Sequence, residues 1–353
     1  MLAASQIGVG VIGLGMGSSL FLAHGVPQCS MRVTAVCDTD ARRLVAAEQA
    51  HQVAATTDYR DLLRRDDIDV IGVFSPDHLH VEHVLAALDA GKHVVCTKPM
   101  ATSLAGARAI LDRVRATGLK FLIGQTCRFI EPYATAKALV DAGRYGHLLH
   151  VDACYHHDMR PVFDKTAWRL EAPQDLLFGG LCHPLDLAMW IGGRIDEVSA
   201  MSSASGIDPR YPSGLADNFA VTLRFASGAL GRVSGLYGIV HADGAPYIQL
   251  SLSGTAAASH EGSITWEASR ADGSREPRRV EELSRHRAVV HEGVDYTGHG
   301  GEVIRYLLHL EDCIRHDREP TPGALEGTRV IAALEAVRES AATGRSVRVA
   351  WDF

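Results

Sequence analysis

With 353 residues, 46% of them apolar, the chain is too long for one ordinary domain and carries enough apolar material for two cores. Its formal net charge of -7 excludes an extended phosphate backbone as partner, since such binding needs clustered Lys and Arg. The one dense basic tract, Arg275 to Arg287, is interleaved with glutamates and reads as a solvated loop or strand. No segment reaches the ~18 to 20 uninterrupted apolar residues that cross a bilayer, which excludes a membrane partner, and the N-terminus lacks the basic-then-apolar pattern of a signal peptide. Seven scattered cysteines, never spaced as C-x-x-C, predict reduced thiols and a cytoplasmic location.

Ile7 to Ile12 is a short apolar run entering Gly13-Leu14-Gly15-Met16-Gly17-Ser18, followed by a helical stretch to about His24. Strand, glycine turn and helix in this order form a dinucleotide site: Gly13 permits the tight turn, Gly15 admits the pyrophosphate, and the helix N-terminus receives its charge, with Met16 and Gly17 in the same loop. The third glycine of G-x-G-x-x-G is replaced by Ser18, whose small size still permits close packing of helix on strand. A second strand, Arg32 to Cys37, ends in Asp38, placed to bind the ribose hydroxyls of NAD and to repel a 2′-phosphate. Arg42 and Arg43 follow closely and leave NADP open.

Alternating strand and helix patterns then predict a doubly wound parallel sheet. Asp58 to Leu63 reads as a short helix and Val70 to Phe74 as a buried strand. Ser75-Pro76-Asp77-His78-Leu79-His80 follows as a loop over the cofactor, with Ser75, Pro76 and His80 its candidate contacts. Val81, Val84, Leu85 and Leu88 then recur at helical spacing up to Gly91. His78, His80 and His83 are not read as a metal site, because no cysteine or carboxylate completes a tetrahedral set at a usual spacing. The strand His93 to Cys96 ends in Thr97-Lys98-Pro99, so Lys98 lies at the carboxyl end of a parallel strand, where such sheets bind ligands.

A crossover helix, Pro132 to Ala142, leads to a strand from Leu148 to Tyr155 that runs into His156-His157-Asp158-Met159-Arg160. Phe219, Val221, Leu223 and Phe225 share one face of a strand, the Ser227-Gly228 turn leads to a hairpin partner from Leu230 to Tyr237, and Tyr247 to Leu252 alternates again. Val303, Leu307, Leu310 and Ile314 mark one face of a helix, and Val330, Leu334, Val337 and Ala341 mark one face of another.

Several of these stretches, taken in order, resemble the Gfo/Idh/MocA oxidoreductase family, which includes inositol dehydrogenases and glucose–fructose oxidoreductase. They are Val11 to Gly17, Ser75 to His80, Ala90 to Pro99, Arg128-Phe129-Ile130-Glu131-Pro132, Trp168-Arg169, Gly179 to Asp186 and Gly298-His299-Gly300-Gly301. The resemblance implies a Rossmann domain (1–126) followed by an α+β domain (127–353) with an open, mostly antiparallel sheet, ending in helices. That sheet would serve as substrate wall and as the interface of a homo-oligomer, dimer or tetramer. The resemblance also implies that Lys98 matches the lysine of the family's E-K-P motif and His183 the histidine of D-x-G-x-H-x-x-D, with Asp186 as its second acid. Two departures stand out: Thr97 replaces the usual glutamate, and Gly179 replaces the motif aspartate.

Oxidising a secondary alcohol needs a base for the hydroxyl proton and a positive group beside the developing alkoxide. His183 and Lys98 have those chemistries, His183 as base and Lys98 as electrostatic clamp and relay, with the two roles exchangeable. Asp158 and His157, then Asp175, are the candidates to replace the acid absent at 179. Tyr155, Arg160, Trp168 and Arg169 are candidate substrate contacts, the aromatic rings suiting the apolar faces of a sugar. The function expected is hydride transfer between NAD and a hydroxyl of a cyclic polyol, sugar or glycoside. One alternative is an enzyme with tightly held NAD that uses a transient ketone for elimination, hydrolysis or internal redox chemistry; the other is a non-catalytic nucleotide sensor.

Overall fold

The computed structural model describes residues 6–243, 245–260, 263–266, 279–282 and 299–353. Most of the basic tract from 275 to 287 and Gly298 of the late glycine motif lie outside the described residues, as does the side chain of His299.

The chain forms two compact units, of which the first comprises 1–126 and 291–331. Its sheet contains β1 (Ile7–Ile12), β2 (Met31–Cys37), β3 (Ala54–Thr56), β4 (Val70–Val73), β5 (His93–Thr97) and β6 (Phe121–Gly124), in the order β3-β2-β1-β4-β5-β6. Every pairing is parallel. All residues of β1, β4 and β6 are buried, which is why these strands read as unbroken apolar runs rather than as alternating ones. The order reverses between β1 and β4, and that switch point is where an open parallel sheet leaves a crevice for ligand. Connecting helices are cut to length by local signals: Asp40 caps Ala41–His51 by accepting from the N–H of Arg42, and Ser103 caps Leu104–Thr117, which Gly118 closes in the left-handed region.

The helix after the glycine turn, Met16–Gly25, is a 3-10 helix. Ser18 Oγ and Ser19 Oγ donate to the carbonyls three residues back, at 2.9 and 2.7 Å, and so support the tighter winding. The helix His299–Arg315 and the residues to 331 group with the first unit, not the second. Glu311 accepts from the N–H and Oγ of Ser30 at 2.9 and 2.5 Å, and the carbonyl of Pro322 accepts from Ile123 N–H at 3.0 Å.

The second unit comprises 127–290 and 332–353. Its nine strands are β7 (Leu148–His156), β8 (Ile195–Ser203), β9 (Asn218–Phe225), β10 (Leu230–Leu236), β11 (Ile248–Gly254), β12 (Ala257–His260), β13 (Ser263–Trp266), β14 (Arg279–Glu282) and β15 (Val347–Arg348). They run β14-β13-β12-β11-β7-β10-β9-β8-β15, all antiparallel except the β7/β10 pair. Strict alternation in β9 buries Phe219, Val221, Leu223 and Phe225, and β10 buries Val233 beside them. The helix Cys182–Gly192, buried along most of its length, packs on β7 and β10. The opposite face shows Met201, Thr222, Arg224, Leu230 and Arg232 to solvent.

Candidate active site

In the first unit, four strand ends carry the candidate nucleotide residues. Gly13 follows β1 with φ +94°, and a Cβ there would stand 2.5 Å from the carbonyl oxygen of Phe74, so glycine is required twice over. A Cβ on Gly15 would find only Arg43 Nη1, at 3.9 Å, which leaves the corner of the turn open to a phosphate. Met16 beside it is 53% exposed. The helix N-terminus at Gly15 has no side-chain cap, so its first amides suit an anion. The close helix-to-strand packing falls to Gly17, whose Cβ would lie 2.7 Å from Val11 Cγ1, and not to the exposed Ser18.

Asp38 follows β2 and ties this loop down. Its Oδ2 accepts from Leu14 N–H at 2.6 Å and its Oδ1 from Asp40 N–H at 2.8 Å, while Arg43 Nη1 stands 3.5 Å from Oδ2. These residues fit an NAD molecule: a glycine turn open at Gly15 for the pyrophosphate and, beside it, the Asp38 carboxyl for the ribose. Burial first, then Asp38, pushes the neighbouring Cys37 thiol up to about 12, so it stays protonated. All seven cysteines are buried.

After β4, Ser75 Oγ meets His83 Nδ1 at 2.8 Å. His80 is 1% exposed, with Nδ1 2.7 Å from the carbonyl of Pro99 and Nε2 2.8 Å from the carbonyl of Ser75. The His80 ring, expected as a cofactor contact, ties the Ser75-Pro76 loop to the end of β5. Burial lowers the pKa of both His80 and His83, the two carbonyls pulling the other way at His80. Lys98, half-buried, leaves β5 just before Pro99, and the peptide between them is cis.

In the second unit, β7 and the helix Cys182–Gly192 build an aromatic cluster. His183 is 7% exposed, its Nδ1 is 3.7 Å from Cys127 Sγ, and the Tyr155 ring meets its imidazole edge-on at 5.3 Å. Tyr155 also meets His157 at 5.8 Å and Tyr237 at 5.5 Å, and His157 stacks on Tyr247 at 4.5 Å. Burial pushes the Tyr155 hydroxyl well up, so it is a neutral donor at ordinary pH. Tyr155, His157 and His183 are thus brought together, and Tyr237 and Tyr247 join them. Neither tyrosine carries a sequence signal beyond its position at the end of one strand or the start of another.

The remaining candidates are drawn elsewhere. Asp186 is fully buried and accepts from Arg128 twice, Nε at 2.8 Å and Nη2 at 2.6 Å, so its expected role as a substrate contact gives way to a bidentate ion pair. Arg128 was visible only as part of a motif, without an assigned partner. Asp158 and Arg160 pair with each other at 2.7 Å, which holds the Asp158 carboxyl below its usual range. Asp175 caps the short helix Leu176–Gly179 and bridges to Arg338. Asp158 is thus engaged by Arg160 and Asp175 by Arg338, and the His157 ring is engaged with Tyr247. Arg169 lies over the Trp168 ring at 4.4 Å. Among the described residues no group of three His, Cys, Asp or Glu forms a metal site, and no helix is long and apolar enough to cross a membrane.

Comparison with known proteins agrees with these two units. The oxidoreductase family with the NAD-binding Rossmann fold, Gfo/Idh/MocA, matches residues 7–125, and the Gfo/Idh/MocA C-terminal domain matches residues 133–258. The uncharacterized oxidoreductase YrbE of Bacillus subtilis (strain 168) is 29% identical over 272 residues, 76% of this chain and 78% of that protein. Levoglucosan dehydrogenase of Pseudarthrobacter phenanthrenivorans is 27% identical over 300 residues, 76% of this chain and 75% of that protein. A solved levoglucosan dehydrogenase in complex with NADH and levoglucosan superposes with a TM-score of 0.83 at 23% identity, over 98% of this chain and 100% of that one. With both of its domain patterns found in order and together spanning more than half of the residues, the chain belongs to the Gfo/Idh/MocA family of NAD-binding oxidoreductases.

Proposed function

We propose that the protein transfers a hydride between NAD and a secondary hydroxyl of a cyclic polyol, sugar or glycoside. The observation that supports this most directly is the nucleotide loop: Gly13 makes the tight turn, Gly15 leaves its corner open, and Asp38 is locked beside it by the Leu14 and Asp40 amides. The similarity to levoglucosan dehydrogenase supports the substrate class. When bound, NAD supplies the hydride acceptor. Lys98 is the electrostatic group for the substrate oxygen and His183 the base that takes its proton, while Tyr155 fixes the imidazole edge-on and His157 and Tyr247 offer a stacked surface to the apolar face of a ring.

The enzyme is proposed to work in the cytoplasm as a homo-oligomer, through the face of the nine-stranded sheet that shows Met201, Arg224, Leu230 and Arg232. Light scattering on a size-exclusion column checks the last point, a monomeric mass counting against it. The test of the function is NAD reduction by the purified protein over a panel of inositols, anhydrosugars, hexoses and glycosides. Turnover with one of these is expected. NADH binding without turnover of any of them, and without product at the substrate's own oxidation level, would contradict the reading and favour a sensor.

A further inference from the structure

A side chain at Gly179 would have to displace the amide of Gln174. A Cβ built on Gly179 falls 2.5, 2.6 and 2.8 Å from Cδ, Nε2 and Oε1 of Gln174, whose side chain therefore occupies the space that a residue with a Cβ would take. Gln174 is only 3% exposed, and its backbone is held on both sides. Its N–H donates to the carbonyl of Arg169 at 3.0 Å, and its own carbonyl accepts from the Tyr211 hydroxyl at 2.8 Å. Tyr211 is in turn stacked on Phe163. The side-chain amide is held separately: its Oε1 accepts from Arg169 Nη1. Arg169 Nε donates to Thr166 Oγ1 at 3.1 Å, and the guanidinium lies over Trp168. The turn that holds Gly179 lies against the cluster: a Cβ on the next residue, Gly180, would run into Tyr237 Cζ, and Tyr237 meets Tyr155, the ring that meets His183. Burial raises the pKa of the Tyr155 hydroxyl and the Arg169 cation opposes it.

We propose that Gln174 is a positioning residue that fills the space left by Gly179 and, through its amide oxygen, fixes Arg169 on Trp168 beside the Tyr155–His183 pair. This rests on the reading of that cluster as the substrate side of a polyol or sugar oxidoreductase. Glycine at 179 and glutamine at 174 then form one unit: a side chain at 179 expels the amide, and an acid at 179 replaces its hold on Arg169 only if the amide is gone. A charge-assisted hydrogen bond is lost when either half is broken.

The experiment uses the full chain with Gln174→Ala, Gln174→Glu, Gly179→Asp and the double variant Gly179→Asp with Gln174→Ala. Two readouts are taken: kcat and KM for the best substrate of the panel, and the emission of Trp168, isolated by subtracting a Trp168→Phe background. We expect Gln174→Ala and Gly179→Asp each to lower kcat/KM roughly ten- to hundredfold, chiefly through KM, and to change Trp168 emission. Gln174→Glu keeps an acceptor for Arg169 and is expected to stay within about threefold of wild type. The double variant is expected to regain most of what either single change loses.

Wild-type KM and emission in Gln174→Ala, or a double variant no better than the worse single one, would overturn the proposal. Because Trp168 emission needs no substrate, a protein that turns over nothing in the panel refutes the functional reading while this test still gives its answer. If Gly179→Asp does not fold, Gly179→Ala makes the same demand on Gln174 with one added carbon and is read the same way.

Discussion

Replacing Asp38 by Asn changes one atom of the carboxylate and puts the nucleotide side to a quantitative test. In the wild type two backbone amides converge on the acid, Leu14 at 2.6 Å from the glycine turn and Asp40 at 2.8 Å from the following helix cap. An asparagine has one acceptor oxygen, so one of these amides faces an NH2 group and loses its bond. The same change takes a charged acceptor from the ribose hydroxyls; a hydrogen bond to a charged group contributes about 1.5–3 kcal/mol, so a loss near 2 kcal/mol is expected there, about thirtyfold in NADH affinity at 1.4 kcal/mol per decade. The acid's repulsion of a 2′-phosphate is removed by the same change. Arg43, 3.5 Å from Oδ2 and 45% exposed at its side chain, is released to meet that phosphate. NADH affinity is therefore expected to fall while NADPH affinity rises. Isothermal titration of both nucleotides against wild type and Asp38→Asn measures this directly. If Asp38→Asn binds NADH within about threefold of wild type and discriminates against NADPH as before, Asp38 is not the ribose-binding acid and the reasoning fails.

Gly13→Ala is expected to abolish NADH binding, because the left-handed backbone costs about 1–2 kcal/mol and the methyl group would sit 2.5 Å from an immovable carbonyl; unchanged affinity by titration would show the turn to be looser than described. Arg128→Met leaves the buried Asp186 without its bidentate partner and is expected to cost about 3 kcal/mol in urea unfolding, whereas a loss below about 1 kcal/mol would reopen a substrate role for Asp186. His83, His93 and His309 have pKa values lowered by burial from 6.5. A depressed folded-state pKa means that the unfolded chain takes up protons first. Their contribution to stability is thus complete above pH 6.5 and is lost as the pH falls below it, which urea midpoints measured on both sides of that value will show.

How much of this was legible in the sequence depends on the range of the interaction. Periodicity reports burial, so β1, β4 and the alternating β9 could be read directly, and Gly13 declared itself because a tight turn needs a residue without a Cβ. The roles of individual polar side chains could not be read, since they depend on partners far away in the chain. His80 looked like a loop residue facing a ligand until its two nitrogens were found on Pro99 and Ser75, and Asp186 looked like a site acid until Arg128 was found 58 residues away. Gln174 gave no signal, because its importance lies in what Gly179 lacks. For the helix His299–Arg315 the amphipathic face was clear, but a period says which face is buried and not against what, and its grouping with the first unit carried no local signal.

The proposal that Lys98 and His183 act in the same chemical step is tested most directly by a double-mutant cycle on kcat/KM for NAD reduction. We expect Lys98→Met and His183→Ala each to lose about 10²- to 10⁴-fold, and the double variant to be scarcely worse than the weaker single, as for groups acting in one step. Losses that multiply, or a single variant that retains activity within about tenfold of wild type, would contradict it.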